Sequence, residues 1–181
     1  MNFWSLETTL RTPRLELRPQ TRNDVRAILE GFASDPRVTK YMDWRPLEWL
    51  DLPRAYERQA ELEREMASGK RIAWVIRKLD ESGICGKIGL SINDGEGEVG
   101  YILAASYWGQ GIMPEALAAV LEFARQLPLR QIVGACDPEN RASIRVFEKC
   151  GFRYAGRRAA AMIRPALSDE PRDSDCYELT L

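Results

Sequence analysis

Tyr107-Trp108-Gly109-Gln110-Gly111-Ile112-Met113-Pro114-Glu115-Ala116 joins two different periodicities. Upstream, Glu98-Val99-Gly100-Tyr101-Ile102-Leu103 is strand-like. Downstream, Ala116, Leu117, Val120, Leu121, Ala124 and Leu127 form an apolar stripe at helical spacing that ends near Pro128. Two closely spaced glycines supply the turn. A proline in the first helical turn forfeits nothing, because an N–H there has no partner inside the helix. The free N–H groups and the helix dipole together make an anion site suited to a pyrophosphate. A plain strand-to-helix loop would use the same glycines for its turn, and local physics is even between the two readings.

Working outward, Thr12-Pro13-Arg14-Leu15-Glu16-Leu17-Arg18-Pro19 alternates apolar and charged residues and predicts a first strand. Thr21 caps an expected helix through Phe32, with Val25, Ile28, Leu29 and Phe32 on one face. A second helix, dense in Glu and Arg, is expected from about Pro46 to Ala67. Ile72–Arg77, Gly86–Ile92 and Glu98–Leu103 predict an antiparallel meander, with Asn93-Asp94-Gly95 at the turn before the third strand. Arg130–Cys136 is a further strand, Arg141–Cys150 a short helix closed by Gly151, and Phe152–Arg158 and Asp175–Leu181 two last strands. The order β-α-α-β-β-β-α-β-α-β-β describes one mixed α/β domain on one sheet, residues 1–181.

Composition narrows the chemistry. The 181 residues include no histidine, which excludes Ser-His-Asp triads, Cys-His pairs and His-ligated zinc. With 26 basic and 27 acidic residues the net charge is -1, unlike a nucleic-acid coat, although a local positive site can hide in such a total. The charge-free run Val99–Pro114 is too short and polar for a membrane span, and Met1–Glu7 lacks the pattern of a signal peptide. Cys85, Cys136, Cys150 and Cys176 lie far apart with no C-x-x-C, so buried thiols in a reducing, cytoplasmic setting are expected, with no metal.

Two motifs separate on context. Gly95-Glu96-Gly97-Glu98-Val99-Gly100 matches G-x-G-x-x-G, but it leads into a strand and puts two glutamates where phosphates would sit, so it is not a dinucleotide fingerprint. Tyr107–Ala116, in contrast, resembles the acyl-CoA pyrophosphate loop of the GNAT acetyltransferase superfamily, Arg/Gln-x-x-Gly-x-Gly/Ala at the start of the main helix. Gly111 takes the central glycine. Trp108 replaces the usual Arg or Gln, and Met113 the usual Gly or Ala, so backbone contacts carry the expectation. Asp137-Pro138-Glu139-Asn140-Arg141-Ala142-Ser143-Ile144-Arg145-Val146-Phe147-Glu148-Lys149-Cys150-Gly151-Phe152 resembles the same family's Asn-x-x-Ser…Glu-Lys-x-Gly-Phe signature, at the usual separation. Leu6–Arg18 and the Pro165…Asp173 tail look like the branch that acetylates ribosomal-protein N-termini.

That resemblance implies a mostly antiparallel sheet flanked by about four helices, with acetyl-CoA in a V between Glu98–Leu103 and Arg130–Cys136. The pantetheine arm would pair near Leu103, and the pyrophosphate would meet N–H groups of Gly109, Gln110, Gly111, Ile112 and Met113. Asn140 and Phe147 are further cofactor candidates, with a helix cap and a core ring as their ordinary readings. Arg141, Arg145 and Lys149 read as solvated helix charges before phosphate contacts. With no histidine, a carboxylate is the natural proton acceptor, and Glu98 comes before Asp43. Many members have a tyrosine where Phe147 stands; in the ribosomal branch a serine is the suggested acid, and Ser143 fits it. Tyr41, Asp43, Trp44 and Trp49 are candidates for an acceptor wall.

The leading expectation is an N-acetyltransferase acting on a primary amine, such as a protein or peptide N-terminus. A small-molecule amine is the alternative acceptor. A non-catalytic CoA-binding module and a partner-binding scaffold using the 46–67 helix are rivals of other classes. No nucleic-acid or membrane partner is expected, and a homodimer is left open.

Overall fold

Ile72-Ala73-Trp74-Val75-Ile76 is apolar at every position, which suits a strand covered on both faces. In a computed structural model, which describes residues 8–46 and 52–181, all five side chains are buried in β3 (Arg71–Lys78). The described residues form one sheet with β1 (Leu10–Arg11), β2 (Leu15–Pro19), β4 (Ile84–Asn93), β5 (Glu96–Leu103), β6 (Gln131–Cys136), β7 (Arg153–Arg164) and β8 (Ser168–Thr180). The spatial order is β1-β2-β3-β4-β5-β6-β8-β7, and only the β5–β6 pair is parallel. Asp94 and Gly95 take φ of +45° and +80°, as a two-residue hairpin turn of type I′ requires between β4 and β5.

The helices are α1 (Val25–Ile28), α2 (Pro36–Thr39), α3 (Leu52–Ala67), α4 (Ile112–Ala124) and α5 (Arg141–Lys149). On one face of the sheet Ile72, Trp74 and Ile76 share a core with Ile112, Ala116, Leu117 and Val120 of α4. On the other, Val75 packs with Val25 and Ile28 of α1, and Ala73 with Leu62 and Met66 of α3. Each fully buried aliphatic side chain contributes about 1.5–3 kcal/mol, so this double-sided strand is the keel of the domain.

Two expectations need adjusting, and a third falls partly outside the described residues. The helix expected from Thr21 to Phe32 opens as a 3₁₀ turn (Arg22–Asp24) and closes as a π turn (Leu29–Ala33). Asp24 accepts from the Thr21 N–H at 2.8 Å and from both Arg18 terminal nitrogens at 2.8 and 2.6 Å, which ties the first turn to β2. The wide last turn buries Leu29, Phe32 and Ala33 together. Secondly, the described part of the Glu- and Arg-rich helix begins at Leu52; residues 47–51, with Trp49, lie outside the described residues. Thirdly, the last two strands are far longer than expected, because β7 and β8 pair from Arg153↔Glu178 to Arg164↔Ser168. β7 is an edge strand with nearly every side chain exposed, so it carries no alternation of burial to betray it.

The fold positions a site by parting two strands. β5 and β6 pair only at Glu96↔Gln131, Gly97↔Ile132 and Glu98↔Val133, whereas β6 stays paired with β8 as far as Cys136. Beyond Glu98 the backbones diverge into the expected V. Phe147 of α5 packs against Gly134 there: a Cβ on Gly134 would lie 2.5 Å from the Phe147 ring. The same ring lies 5.7 Å from Tyr101, 5.2 Å from Phe152 and 5.1 Å, stacked, from Tyr177. Such contacts contribute about 0.5–1.5 kcal/mol each beyond area burial. They fix where β5 and β6 separate.

Candidate active site

The loop from β5 into α4 has the geometry its glycines predict. Gly109 and Gly111 take φ of +75° and +74°, in the left-handed region that only glycine enters cheaply. Gly111 is the N-cap of α4, and its carbonyl accepts the Glu115 N–H at 3.3 Å. Pro114 is thus the third helical residue, inside the first turn, where an N–H lacks a helical partner. Ile112 and Met113 are buried in the core and anchor the loop from below.

Between the loop, the end of β5, α5 and the α2 segment lies an open cleft of about 670 Å³. Its lining includes Leu103, Gly109, Gly111, Ile112, Met113 and Asn140, and Ser143 and Tyr41 also face it. The sequence therefore brings most of its candidates to one place. Five lie outside that lining. The Gln110 side chain turns back to donate to the Ser106 carbonyl at 2.8 Å, and Phe147 is the core ring beneath the V. Asp43 is exposed, Trp44 packs against the α1 core, and Glu98 is exposed at the last β5–β6 pair, the vertex of the V. Gly100, next on the Glu98 face of β5, has open space where a side chain would be. The Leu103 carbonyl accepts from the Trp108 indole at 2.9 Å and keeps one lone pair for another donor.

Electrostatics distinguish the two walls from the chain as a whole. Arg141, Arg145 and Lys149 recur at every fourth residue and line the cleft as one stripe of α5; Lys40, just past α2, lines it too, with Arg37 of α2, which is paired with Asp35 at 2.6 Å. Glu139 is the one acidic residue in this lining, so a chain of net charge -1 carries a markedly positive cleft. The spacing of the α5 cations was visible in the sequence. Their common direction was not, because Ile144 and Phe147 had to be known as the buried face.

Asn140 does what its N-cap reading predicts, accepting the Ser143 N–H at 3.2 Å. At the other end of α5 the Gly151 N–H reaches the Glu148 carbonyl at 3.1 Å and the Phe152 N–H the Phe147 carbonyl at 3.0 Å, with the two Phe rings in contact. That is a Schellman closure. The approach to Asn140 is held by Asp137, whose carboxylate receives Arg172 at 2.7 Å, lies 3.6 Å from the buried Arg164 and caps the Glu139 N–H at 2.9 Å. Burial works against the Asp137 charge, but the Arg172, Glu139 and Arg164 contacts outweigh it and hold its pKa below the ordinary value. Tyr41 closes one end with a long hydrogen bond, 3.4 Å, to the Glu139 carbonyl.

Tyr101 was not anticipated. Its ring lies on the cleft floor, and its hydroxyl donates to the Ser143 carbonyl at 3.3 Å. Burial holds its pKa well above the ordinary phenol value, so it stays protonated beside Ser143. An aromatic alternating with Val99 and Leu103 reads as core, and only the parting of β5 from β6 exposes it. All four cysteines are free thiols; burial pushes Cys85 and Cys150 up to about 11 and Cys136 up to about 12, leaving them poor nucleophiles.

A family model described as an acetyltransferase (GNAT) domain matches residues 14–153. An uncharacterized N-acetyltransferase, p20 of Bacillus licheniformis, is 30% identical over 152 residues, covering 82% of this chain and 84% of the relative. Among solved structures, RimL, a ribosomal L7/L12 alpha-N-protein acetyltransferase in complex with coenzyme A, superposes with a TM-score of 0.85 at 22% identity over 96% of this chain and 98% of that one. The microcin C7 self-immunity acetyltransferase MccE, in complex with acetyl-CoA and AMP, reaches 0.83 at 18% identity over 94% of each. The parted strands, the glycine-capped helix and the matched domain agree: this chain belongs to the GNAT acetyltransferases and is an acyltransferase.

Proposed function

We propose that the protein transfers an acetyl group from acetyl-CoA to the α-amine of a protein or peptide by direct attack on the thioester. The observation that carries this reading is the positive cleft that runs from the glycine-capped N-terminus of α4 along the unpaired end of β5, Tyr101 to Leu103, and the facing side of α5. Such a cleft suits a long substrate with phosphates at one end and a reacting group at the other. The loop N–H groups and Arg141, Arg145 and Lys149 take the phosphate end, and the unpaired edges of β5 and β6 take the amide-bearing arm. High thiol pKa values at Cys85, Cys136 and Cys150 disfavour an acyl-cysteine intermediate and support direct transfer. The α-amine, with a pKa near ~8, presents its neutral form at far lower cost than a lysine near ~10.4.

Glu98, at the vertex and beside the open space over Gly100, takes a proton from the acceptor's ammonium, and the neutral amine then attacks the thioester carbonyl. Ser143, on the cleft wall, donates toward the departing thiolate. Glu98→Gln is therefore expected to lower kcat about 10²-fold, the lower end of general-base contributions, because water reaches an exposed carboxylate and can relay in its place. The KM for acetyl-CoA should stay within twofold, and an unaltered kcat removes Glu98 from the mechanism.

A small-molecule amine is the second reading, supported by the fold shared with MccE, whose solved complex contains AMP. Release of free CoA, followed with a panel of N-terminal peptides and another of polyamines, amino acids and nucleotide-linked amines, separates the two. Turnover confined to the small amines overturns the peptide reading. Binding of acetyl-CoA with no turnover on either panel favours the CoA-binding module.

A further inference from the structure

Ninety-odd residues before the pyrophosphate loop, the β1–β2 turn reaches across the sheet edge and grips it. Thr12 donates its hydroxyl to Glu115 Oε1 at 2.5 Å, and the Arg14 N–H donates to the same oxygen at 3.2 Å. The Arg14 guanidinium donates through Nε to Glu115 Oε2 at 2.6 Å and through a terminal nitrogen to the Gln110 carbonyl at 3.0 Å. None of Thr12, Arg14 or Glu115 lines the cleft. The contact with Gln110 matters because of peptide geometry. The Gln110 carbonyl and the Gly111 N–H belong to one trans peptide plane, so they point in opposite directions. Drawing that carbonyl toward Arg14 turns the Gly111 N–H away from Arg14, and Gly111 lines the cleft. A left-handed glycine would otherwise let this plane rotate at little cost.

We infer that the Arg14–Glu115 pair is a positioning device that aims the loop N–H groups at the pyrophosphate of the acyl donor. Glu115 fulfils a second need. A carboxylate in the first turn of α4 would compete electrostatically with a bound phosphate, and its three hydrogen bonds and its ion pair with Arg14 direct it outward and neutralise it. Burial favours its neutral form, but the bonds from Thr12 and Arg14 prevail and keep its pKa below the ordinary glutamate value, so the clamp is charged at neutral pH.

The inference rests on acetyl-CoA as the donor, and the test separates the two claims by using a second donor, S-acetylpantetheine, which has the same thioester and arm but no pyrophosphate. With the wild-type protein, acetyl-CoA should have the much higher kcat/KM. Arg14→Ala and Glu115→Gln are each expected to raise the acetyl-CoA KM about tenfold, with kcat within twofold, and to leave kcat/KM for S-acetylpantetheine unchanged. Arg14→Lys, which restores charge without the fork, should recover part of the loss. Equal losses with both donors, or an acetyl-CoA KM that does not move, overturn the clamp. A wild-type protein that does not prefer acetyl-CoA overturns the pyrophosphate reading of the loop, and the clamp with it.

Discussion

Gly111→Glu is expected to abolish acetyl-CoA binding in a calorimetric titration while leaving the domain folded. Two effects add at one atom. Gly111 holds φ at +74°, a conformation that costs a residue with a side chain about 1–2 kcal/mol. A Cβ there finds room, since its nearest neighbour is the Arg14 guanidinium at 3.5 Å. Sterics are therefore not the obstacle. The second effect is charge: a carboxylate at the N-cap of α4 occupies the end of the helix dipole that would otherwise face the pyrophosphate, and it competes with Glu115 for Arg14. Gly111→Ala separates the two, because it introduces the backbone cost alone, and a weakening of about tenfold is expected for it. Thermal melting confirms that both variants fold. Binding by the Glu variant within threefold of wild type would mean that the anion does not sit at this helix start.

What the sequence discloses and what it withholds follow from the range of the physics. The loop, the type I′ turn at Asp94-Gly95, the caps at Asn140 and Gly151, the unbroken apolar run of β3 and the alternation in β5 are local, and each lies within a few residues of its cause. β7 was underestimated because an edge strand exposed on both faces has no apolar period; Arg153–Arg164 carries four arginines and is held by pairing with β8. The resemblance makes Phe147 a cofactor candidate, one helical turn from Ser143. Depth decides otherwise: Ser143 is half-exposed on the cleft wall, and Phe147 is buried against Gly134. The Arg14–Glu115 clamp spans 101 positions, and the Asp137–Arg172 pair 35. No local pattern marks one charged residue as another's partner over such intervals, so a near-neutral composition conceals both networks and the positive cleft they support.

Asp137→Asn is expected to lower stability by about 3 kcal/mol, because it removes the anion from a buried cluster and leaves its cations in place. Arg164 is 2% exposed and keeps its bonds to the Asp173 carbonyl at 3.1 Å and to Ser174 at 2.7 Å, but its Nε has no hydrogen bond and faces Asp137 alone at 3.6 Å. The side chain of Asp137 is fully buried, whereas Arg172 reaches water and recovers part of its hydration, which sets the effect at the lower end for a broken buried pair. Denaturant titration measures the shift. It should also depend on pH with a definite sign. The folded pKa of Asp137 lies below the unfolded value near ~3.9, so wild-type stabilisation is fully present above that value and is lost as pH falls through the depressed folded one. The gap between wild type and variant should thus be widest near pH 7 and close in acid. A gap that persists unchanged into acid would assign the loss to shape rather than charge. The same substitution loosens the turn that sets Asn140 and the first turn of α5, so in the fraction that remains folded the acetyl-CoA KM should rise. A structural network and the cofactor wall are joined through a single carboxylate, and the pH profile of stability, measured beside KM, reads both.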